Sequence, residues 1–446
     1  MTMKQMSKLA TLFAVMMIIM LSSCKKEDST REGKNSPPVS NAGADLLIVL
    51  PVDTVTLNGS ASFDPDNNIV SVQWKKVSGP STYTIARDNT MQPILSNLTQ
   101  GSYGFELRVT DAGGLYDMDT VVVAVYGAVV SSDVDTYVVG YASDNLNGQS
   151  FLWKNGVAQK LGNGSDFTNP TSVFVSGPDV YVVGGSYNTG SGSATSTVKL
   201  WKNGVIQNLS GVSEDAAPSG LFVSGSDVFV AGVKAHAVTG NTVATLWKNG
   251  VPQSLTDGST FAAAESVFVS GGHVYVAGNE TSYNDRNIAR LWKDGVLQQL
   301  ENALEGAANS VFVSNNEVYV AGWSSTGATL WKNGMVQNIF EFQDITSINS
   351  IYVSGSDLYS VGSVSDIWTF PILWKNGVVQ NLGNGEKVGE AYSVFELGGD
   401  VYVAGYGVDP NGNGNGIATL WKNGAPHYLE NNFPRSFATS VFVVKK

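Results

Sequence analysis

The sequence predicts an all-β protein, in which a small β-sandwich is followed by a seven-bladed β-propeller. Glycine supplies 49 of 446 residues and charged residues only 14%, which is typical of a turn-rich β protein rather than a helical bundle. The tetrapeptide Trp-Lys-Asn-Gly, once Trp-Lys-Asp-Gly, recurs seven times between Trp153 and Trp421, at spacings of 39 to 48 residues. That period is typical of propeller blades.

Residues 1–23 are predicted to be a signal peptide. Two lysines precede an uncharged apolar run at 9–21, which is too short to span a bilayer comfortably. The run ends Leu-Ser-Ser-Cys, which resembles the lipobox of bacterial lipoproteins. The resemblance implies cleavage before Cys24 and lipid attachment to it. The alternative is a plain secretory signal in which the one cysteine of the chain is incidental.

The residues after Cys24 predict where the lipid would hold the protein. Residues 24–36 are polar and charged without an apolar period, so we expect a lipidated, flexible tether. Residues 25–28, Lys-Lys-Glu-Asp, resemble the export signal of surface lipoproteins in Bacteroidetes-type bacteria. The expected location is the outer membrane, with the chain anchored through lipid on Cys24 and facing the cell exterior.

Short alternating runs separated by turn residues predict a β-sandwich at residues 37–126. This segment resembles the PKD family of Ig-like domains. The matching motifs are Asn41-Ala42-Gly43, Ser62-Phe63-Asp64-Pro65-Asp66, Trp74 and Leu107-Arg108-Val109-Thr110-Asp111. The resemblance implies a spacer, or a module that contacts proteins and glycans, and makes Trp74 a core residue. Some domains of this class bind calcium, and Asp64, Asp66 and Asp111 could supply its oxygen ligands. The favoured alternative is that these carboxylates close turns.

Residues 129–446 are predicted to form the propeller, with four strands, A to D, in each repeat. The Asn-Gly pair between strands C and D predicts a type I′ hairpin. Residues 440–444 are an eighth strand A without a following B, C or D, whereas the first repeat has only a degenerate strand A. We therefore expect the C-terminal strand to complete the first blade. The repeat resembles kelch-type propellers in its apolar run, glycine and later tryptophan, although only Gly184-Gly185 keeps the double glycine.

The seven repeated tryptophans allow two interpretations. One is a lectin with a sugar on each blade. The other, which we favour, is packing between blades, since every blade buries both faces and carries tryptophan at the same strand position. The lysine after each tryptophan is expected to be a solubilising turn residue.

The B–C and D–A loops share one face of a propeller, and they vary in length and sequence between these repeats. We therefore expect ligand binding on that face. The candidate ligand-binding residues are Trp323, Trp368, Tyr283, Arg286, Tyr187, His236, Glu265 and Tyr392. The positions just before strand A are expected to ring the channel mouth, and these are Thr171, Ser219, Glu265, Asn309, Asn349, Tyr392 and Thr439.

Charge and composition restrict the function further. A formal net charge of −12 argues against nucleic-acid binding. One cysteine and three scattered histidines argue against a metal cage, so no cofactor is expected. The predicted function is non-catalytic binding of a glycan or a protein. The alternatives are a glycosidase or lyase that uses carboxylates such as Glu265 and Glu305, and a structural scaffold for an outer-membrane protein complex.

Overall fold

The computed structural model describes residues 35–50, 52–99, 101–126, 133–144, 148–162, 167–188, 195–209, 215–282, 286–337, 345–365, 369–382, 388–408, 416–429 and 433–446. Within these stretches the regular secondary structure is entirely β, as the sequence predicts, and no helix occurs. The same stretches therefore contain no helix that could cross a membrane.

The first part of the chain is a sandwich of two sheets. Its strands are β1 (Leu46–Val49), β2 (Val55–Thr56), β3 (Ile69–Ser78), β4 (Thr84–Ala86), β5 (Ile94–Ser96), β6 (Gly101–Asp111) and β7 (Tyr116–Tyr126). One sheet has the order β1-β7-β6-β3 and the other β2-β5-β4. β1 runs parallel to β7, and the remaining pairs are antiparallel.

The sandwich core is organised around Trp74 and Tyr103. The Trp74 side chain is 2% exposed, and its Nε1 donates to the carbonyl oxygen of Thr90 at 3.1 Å, which confirms it as a core residue. The Tyr103 hydroxyl lies 2.9 Å from the Thr82 carbonyl oxygen and 3.1 Å from that of Thr99. This arrangement fixes the corner that precedes β6, as the tyrosine corner of Ig-like sandwiches does.

The rest of the described chain forms seven four-stranded antiparallel sheets, the blades. From strand A to strand D they are blade 1, β35 (Arg435–Lys445), β8 (Val134–Ser143), β9 (Gly148–Lys154), β10 (Val157–Leu161); blade 2, β11 (Phe167–Ser176), β12 (Asp179–Asn188), β13 (Thr195–Lys202), β14 (Val205–Asn208); blade 3, β15 (Ala216–Ser224), β16 (Asp227–Ala235), β17 (Thr242–Lys248), β18 (Val251–Ser254); blade 4, β19 (Ala262–Ser270), β20 (His273–Thr281), β21 (Asn287–Lys293), β22 (Val296–Gln298); blade 5, β23 (Ala307–Ser314), β24 (Glu317–Ser324), β25 (Gly327–Lys332), β26 (Met335–Gln337); blade 6, β27 (Ile345–Ser354), β28 (Asp357–Ser365), β29 (Thr369–Lys375), β30 (Val378–Asn381); and blade 7, β31 (Gly389–Leu397), β32 (Asp400–Val408), β33 (Gly416–Lys422), β34 (Ala425–Tyr428).

The C-terminal strand completes the first blade. β35 pairs with β8 from Arg435 opposite Ser143 to Lys445 opposite Val134. No single sheet closes on itself. Instead, the A strands contact one another in succession from β11 to β35, and β35 contacts β11. The predicted all-β fold, with a sandwich and a seven-bladed propeller closed by the C-terminal strand, is confirmed.

The strand C tryptophans hold neighbouring blades together. All seven are 0 to 2% exposed. Trp247 of blade 3, for example, packs in one cluster with Val183 and Leu200 of blade 2 and with Val230 of its own blade. An indole buried in this way has no free face for a sugar, so the packing interpretation holds and the interpretation with one sugar on each blade is wrong.

Each strand A carries a β-bulge near its start. The bulged residues have no partner in strand B, and they are Thr171, Ser219, Glu265, Asn309, Asn349, Tyr392 and Thr439, which we name the mouth ring. A glycine of strand B faces each bulge. A Cβ added at Gly278 would lie 2.0 Å from the carbonyl oxygen of Ala263. The repeated glycine is therefore required by the close approach of strand A.

Further along each strand A, one aromatic ring from each blade joins a closed circle. These rings are Phe174, Phe222, Phe268, Phe312, Tyr352, Phe395 and Phe442, which we name the aromatic collar. Neighbouring centroids are 4.6 to 4.9 Å apart. Seven rings at this spacing lie on a circle about 5 to 6 Å in radius, and their van der Waals thickness leaves a bore under about 8 Å wide. The collar therefore narrows the central channel.

Candidate functional site

The two faces of the propeller are built differently. The turn face carries the A–B and C–D turns, and the loop face carries the B–C and D–A loops. In all seven C–D turns the first residue has φ of 50 to 53° and the following glycine φ of 78 to 83°. Positive φ at both central residues is the geometry of a type I′ turn, so this prediction from Asn-Gly is confirmed.

In every blade, side chains around these turns link the start of strand B to the end of strand C. We name this set of contacts the staple. In blade 2, the Lys202 Nζ lies 2.8 Å from Asp179 Oδ2 at the start of strand B and 5.2 Å from the centroid of the Tyr181 ring. The Asn203 side chain donates to Asp179 Oδ1 at 2.7 Å and accepts from the backbone N–H of Val180 at 2.9 Å. The repeated lysine thus holds strands B and C together, which is more than the solubilising role expected of it.

These staples change the titration of their carboxyl groups. A hydrogen bond from lysine is the main cause that lowers the pKa of Asp179, Asp227, Asp357 and Asp400. For Asp135 the main cause of the lower pKa is the hydrogen bond from Asn155. The turn face therefore repeats one structural device, an acid held by lysine and asparagine, in six of the seven blades.

In blade 4 the staple is built from different residues. His273 stands where the other blades have an acid, and Asp294 stands where they have asparagine. The His273 Nδ1 lies 2.7 Å from Asp294 Oδ2. The backbone N–H of Val274 and then the His273 ring lower the pKa of Asp294. The two exceptions to the repeat consensus thus compensate each other.

On the loop face, the mouth ring is held by hydrogen bonds that cross from blade to blade. Asn309 Nδ2 donates to the carbonyl oxygen of Ile348 at 2.9 Å, and Asn349 Nδ2 donates to that of Ala391 at 3.0 Å. The Thr439 hydroxyl donates to the carbonyl oxygen of Pro170 at 2.8 Å. These contacts fix the channel mouth in advance of any ligand.

Glu265 is the one acid of the mouth ring. It is partly buried and forms a side-chain hydrogen bond with Ser219 of the preceding blade. Burial raises the pKa of Glu265, because desolvation penalises its charged form, and the Ser219 hydrogen bond offsets only part of this effect. No ion pair of Glu265 occurs within the described stretches.

A small pocket opens beside the mouth ring, where blades 7, 1 and 2 meet. Its lining residues are Tyr141, Thr171, Tyr392, Phe437 and Thr439, which we name the Tyr392 pocket. It encloses about 260 Å³. The Tyr141 and Phe437 rings stack with centroids 5.1 Å apart.

A carboxylate lies behind the wall of this pocket. The Tyr392 hydroxyl donates to Glu390 Oε2 at 3.1 Å, and Asn349 Nδ2 lies 3.3 Å from Glu390 Oε1. Tyr406 pairs with Glu390 across strands A and B, and its ring centroid lies 6.1 Å from that of Tyr392. Burial and then the Glu390 charge raise the pKa of Tyr392, and both raise that of Tyr406. The Tyr392 pocket therefore combines aromatic walls with a negative charge.

The candidate residues do not form one cluster. Trp323 lies within β24, half-buried and paired with Ala307 and Ala328, so it belongs to a strand and not to a B–C loop as we expected. The His236 ring closes a local turn, with Nδ1 3.0 Å from the Thr239 hydroxyl. Arg286 is exposed, and its Nη1 lies 2.6 Å from Glu305 Oε1. Glu305, one of the two carboxylates of the alternative catalytic function, is therefore engaged in an ion pair.

Most of the remaining candidates lie wholly or partly outside the described residues. Tyr187 lies in β12, and its side chain lies outside the described residues. Tyr283, Trp368 and Cys24 also lie outside them. Glu265 and Tyr392 both belong to the mouth ring.

The calcium candidates of the sandwich take part in turns. Asp64 Oδ1 accepts from the backbone N–H of Asp66 at 2.7 Å, and Asp111 Oδ1 accepts from that of Leu115 at 2.8 Å. Asp111 Oδ2 also accepts from the Asn35 side chain at 2.6 Å. These contacts match the alternative that the carboxylates close turns. No group of three metal-binding side chains occurs in the described part of the chain.

Four residues of the pocket region were not predicted from the sequence: Tyr141, Glu390, Tyr406 and Phe437. A signal was present in the repeat. Tyr141 and Tyr406 each follow the strand B glycine that faces the bulge, a position held by glycine, valine, asparagine or serine in four other blades. Trp323 of blade 5 occupies the same register position. Aligning the repeats at that glycine therefore singles out blades 1, 5 and 7.

Comparison with known proteins identifies the sandwich. The model of the PKD-domain family of KIAA0319-like proteins matches residues 42–125, inside the predicted segment 37–126. The chain is 38% identical over 104 residues to the low-density lipoprotein receptor-related protein 11 of Homo sapiens, a match that covers 23% of the chain and 21% of that protein. It is 40% identical over 91 residues to the human dyslexia-associated protein KIAA0319, covering 20% of the chain and 8% of that protein. The chain thus spans only a minor part of these relatives.

Among solved structures, the PKD domain of human KIAA0319 is 24% identical, with 23% of this chain and 93% of that chain covered and a TM-score of 0.19. A puromycin-hydrolyzing peptidase of Mycobacterium tuberculosis is 13% identical, with 60% of this chain and 46% of that chain covered and a TM-score of 0.39. The family match and the observed sandwich agree in position. Residues 42–125 therefore form a PKD domain, and a seven-bladed β-propeller follows it in the chain.

Proposed function

We propose that this chain is a lipid-anchored protein of the bacterial cell surface, whose propeller binds a glycan or protein ligand through its loop face without catalysis. The observation that carries this proposal is the difference between the two propeller faces. The turn face repeats the same side-chain contacts in six blades and a variant of them in blade 4, whereas the loop face changes its side chains from blade to blade over a fixed mouth ring. Variable side chains on a rigid frame are the usual construction of a binding surface.

The anchor rests on the Leu-Ser-Ser-Cys motif at Cys24 and on the charged residues 25–28. In this proposal residues 24–36 are the tether, and the PKD domain is a spacer that holds the propeller away from the membrane. We also propose that the propeller is kelch-like, because each repeat keeps the strand B glycine and the later tryptophan.

A glycan array tests the binding function. The chain from residue 25 onward would be applied beside Trp323→Ala, and beside Val205→Ser as a control, since Val205 is 66% exposed next to a C–D turn on the turn face. Sugar binding that Trp323→Ala reduces at least tenfold and the control does not would support a glycan ligand on the loop face. A blank array together with no protein captured from the cell envelope would refute the binding function.

Labelling with a radioactive fatty acid tests the anchor. We expect the label in the full chain and none in Cys24→Ser, with the labelled protein in the outer-membrane fraction and accessible to protease in intact cells. Label that persists in Cys24→Ser would contradict lipid attachment at Cys24. Labelled protein that resists protease in intact cells would contradict exposure at the cell exterior.

Catalysis on a polysaccharide is the second candidate function. The observation that favours it is Glu265, a partly buried acid with a raised pKa at the channel mouth. A raised pKa keeps a carboxyl group protonated to higher pH, as a general acid requires. Turnover of any polysaccharide that Glu265→Gln abolishes, while binding is kept, would replace the proposed function with this one.

A further inference from the structure

We propose that the Tyr392 pocket binds a compact alkylated ammonium group, of the kind that heads choline. This inference rests on the proposed function, because it names the chemical group that one part of the loop face would recognise. Three observations support it. The walls of the pocket are aromatic, a carboxylate lies behind one of them, and the hydroxyl donors of Thr171, Tyr392 and Thr439 already form hydrogen bonds within the protein.

The walls are aromatic. Tyr141, Tyr392 and Phe437 line the pocket, and the Tyr406 ring contacts Phe437 at a centroid distance of 4.9 Å with an interplanar angle of 71°. Ring faces carry partial negative charge and attract cations that lie over them. A quaternary ammonium group presents only methyl surface, so it can lie against aromatic rings without hydrogen bonds. The volume of about 260 Å³ is large enough for a group of this size.

The charge behind the wall is not neutralised. Glu390 accepts hydrogen bonds from the neutral groups of Tyr392 and Asn349, and it forms no ion pair within the described stretches. The Tyr392 hydroxyl donates toward this carboxylate, which makes the phenol ring more electron-rich. A cation in the pocket would therefore meet both the ring faces and the field of an unpaired carboxylate.

The threonine hydroxyls and the Tyr392 hydroxyl of the pocket are engaged as donors. The Thr439 hydroxyl donates to the backbone of Pro170 or Val139, the Thr171 hydroxyl lies 3.4 Å from the carbonyl oxygen of Val183, and the Tyr392 hydroxyl donates to Glu390. A neutral sugar requires donors as well as acceptors from its site. These groups leave ring faces and oxygen lone pairs, which favour a cation over a sugar.

Titration with choline and its uncharged isostere, 3,3-dimethyl-1-butanol, tests this inference on the chain from residue 25 onward. We expect choline to bind at least tenfold more tightly, because only the charge differs. Glu390→Gln should weaken choline binding at least fivefold and leave the isostere unchanged. Tyr141→Leu should weaken choline binding by a similar factor through loss of a ring face.

Two control variants guard against a general loss of structure. Asn279→Ala changes the same register position in blade 4, and Arg435→Gln removes an exposed cation from the start of β35. Neither should weaken choline binding. Near-ultraviolet circular dichroism and the melting temperature would establish that each variant is folded, and Tyr392→Phe would separate the ring from its hydrogen bond to Glu390.

The inference is overturned if choline and the isostere bind alike, if choline does not bind at millimolar concentration, or if Glu390→Gln binds choline as the unchanged chain does. A neutral monosaccharide that binds in the pocket while choline does not would also overturn it. In that last case, or where the glycan array responds through Trp323 alone, the proposed function stands without this inference. If choline binds while the glycan array is blank and no protein partner is captured, the ammonium site in the Tyr392 pocket is supported and the binding of a glycan or protein through the loop face is refuted.

Discussion

Replacing Trp247 by alanine should destabilise the propeller at the contact between blades 2 and 3. The side chain is 0% exposed and packs against Val183, Leu200 and Val230. Burial of about 150 to 250 Å² at about 25 cal/mol per Å² gives an upper estimate of about 4 to 6 kcal/mol. Large-to-small changes at buried aromatic positions usually cost about 3 to 5 kcal/mol. We expect a loss of about 3 to 5 kcal/mol in the free energy of unfolding.

Urea denaturation combined with hydrogen exchange would measure this loss and locate it. Exchange should accelerate in β13 and β17, on both sides of the contact, and remain unchanged in the strands of the PKD domain. Trp323→Ala is the matched control, because Trp323 is only half-buried, and it should cost under about 2 kcal/mol. A loss under about 1 kcal/mol for Trp247→Ala, or equal losses for both variants, would refute the view that these tryptophans hold the blades together.

Three further predictions concern charge. The carboxyl groups of the turn-face staples have lowered pKa values, so their stabilisation is present above pH about 4 and should be lost as pH falls through the folded-state values; a melting temperature that is flat from pH 7 to pH 2.5 would contradict this. Burial raises the pKa of Glu265, so Glu265→Gln should raise the melting temperature at pH 7, and the gain should vanish below pH about 4; a gain that is independent of pH would contradict this. His273→Asp alone should destabilise by about 0.5 to 1 kcal/mol through its contact with Asp294, and adding Asp294→Asn should recover the loss; additive losses in the double variant would contradict the staple of blade 4.

Much of the propeller follows from local sequence. Asn-Gly and Asp-Gly determine the C–D turns because two consecutive residues must take positive φ, and the number of repeats sets the number of blades. The mouth ring was predicted by position alone, because those residues precede the apolar run of strand A in every repeat. The reason for the glycine in strand B was not predicted. That reason is the close approach of a bulge in strand A, which the sequence of strand B does not show.

The candidate site was less predictable because its residues come from distant parts of the chain. Tyr141 and Phe437 meet only when the C-terminal strand pairs with the first blade, and Tyr392 joins them from blade 7. No local pattern shows which rings will face one another across that seam. The turn-face staples escaped notice for a similar reason: Asp179 and Lys202 are separated by two strands' worth of sequence and become neighbours through strand pairing.

The pairing of β35 with β8 also distinguishes a complete propeller from a truncated one. The Thr439 hydroxyl lies 3.1 Å from the carbonyl oxygen of Val139, which is 300 positions away in the sequence, and closing so long a segment costs about 5 kcal/mol of chain entropy. Among the propeller strands, synthesis delivers β8 to β10 first and β35 last. A chain that stops early would keep the backbone edge of β8 unpaired, and such an edge is a template for association with other chains. Only a chain that reaches β35 can hide that edge within itself, so truncated products would be marked by their tendency to aggregate.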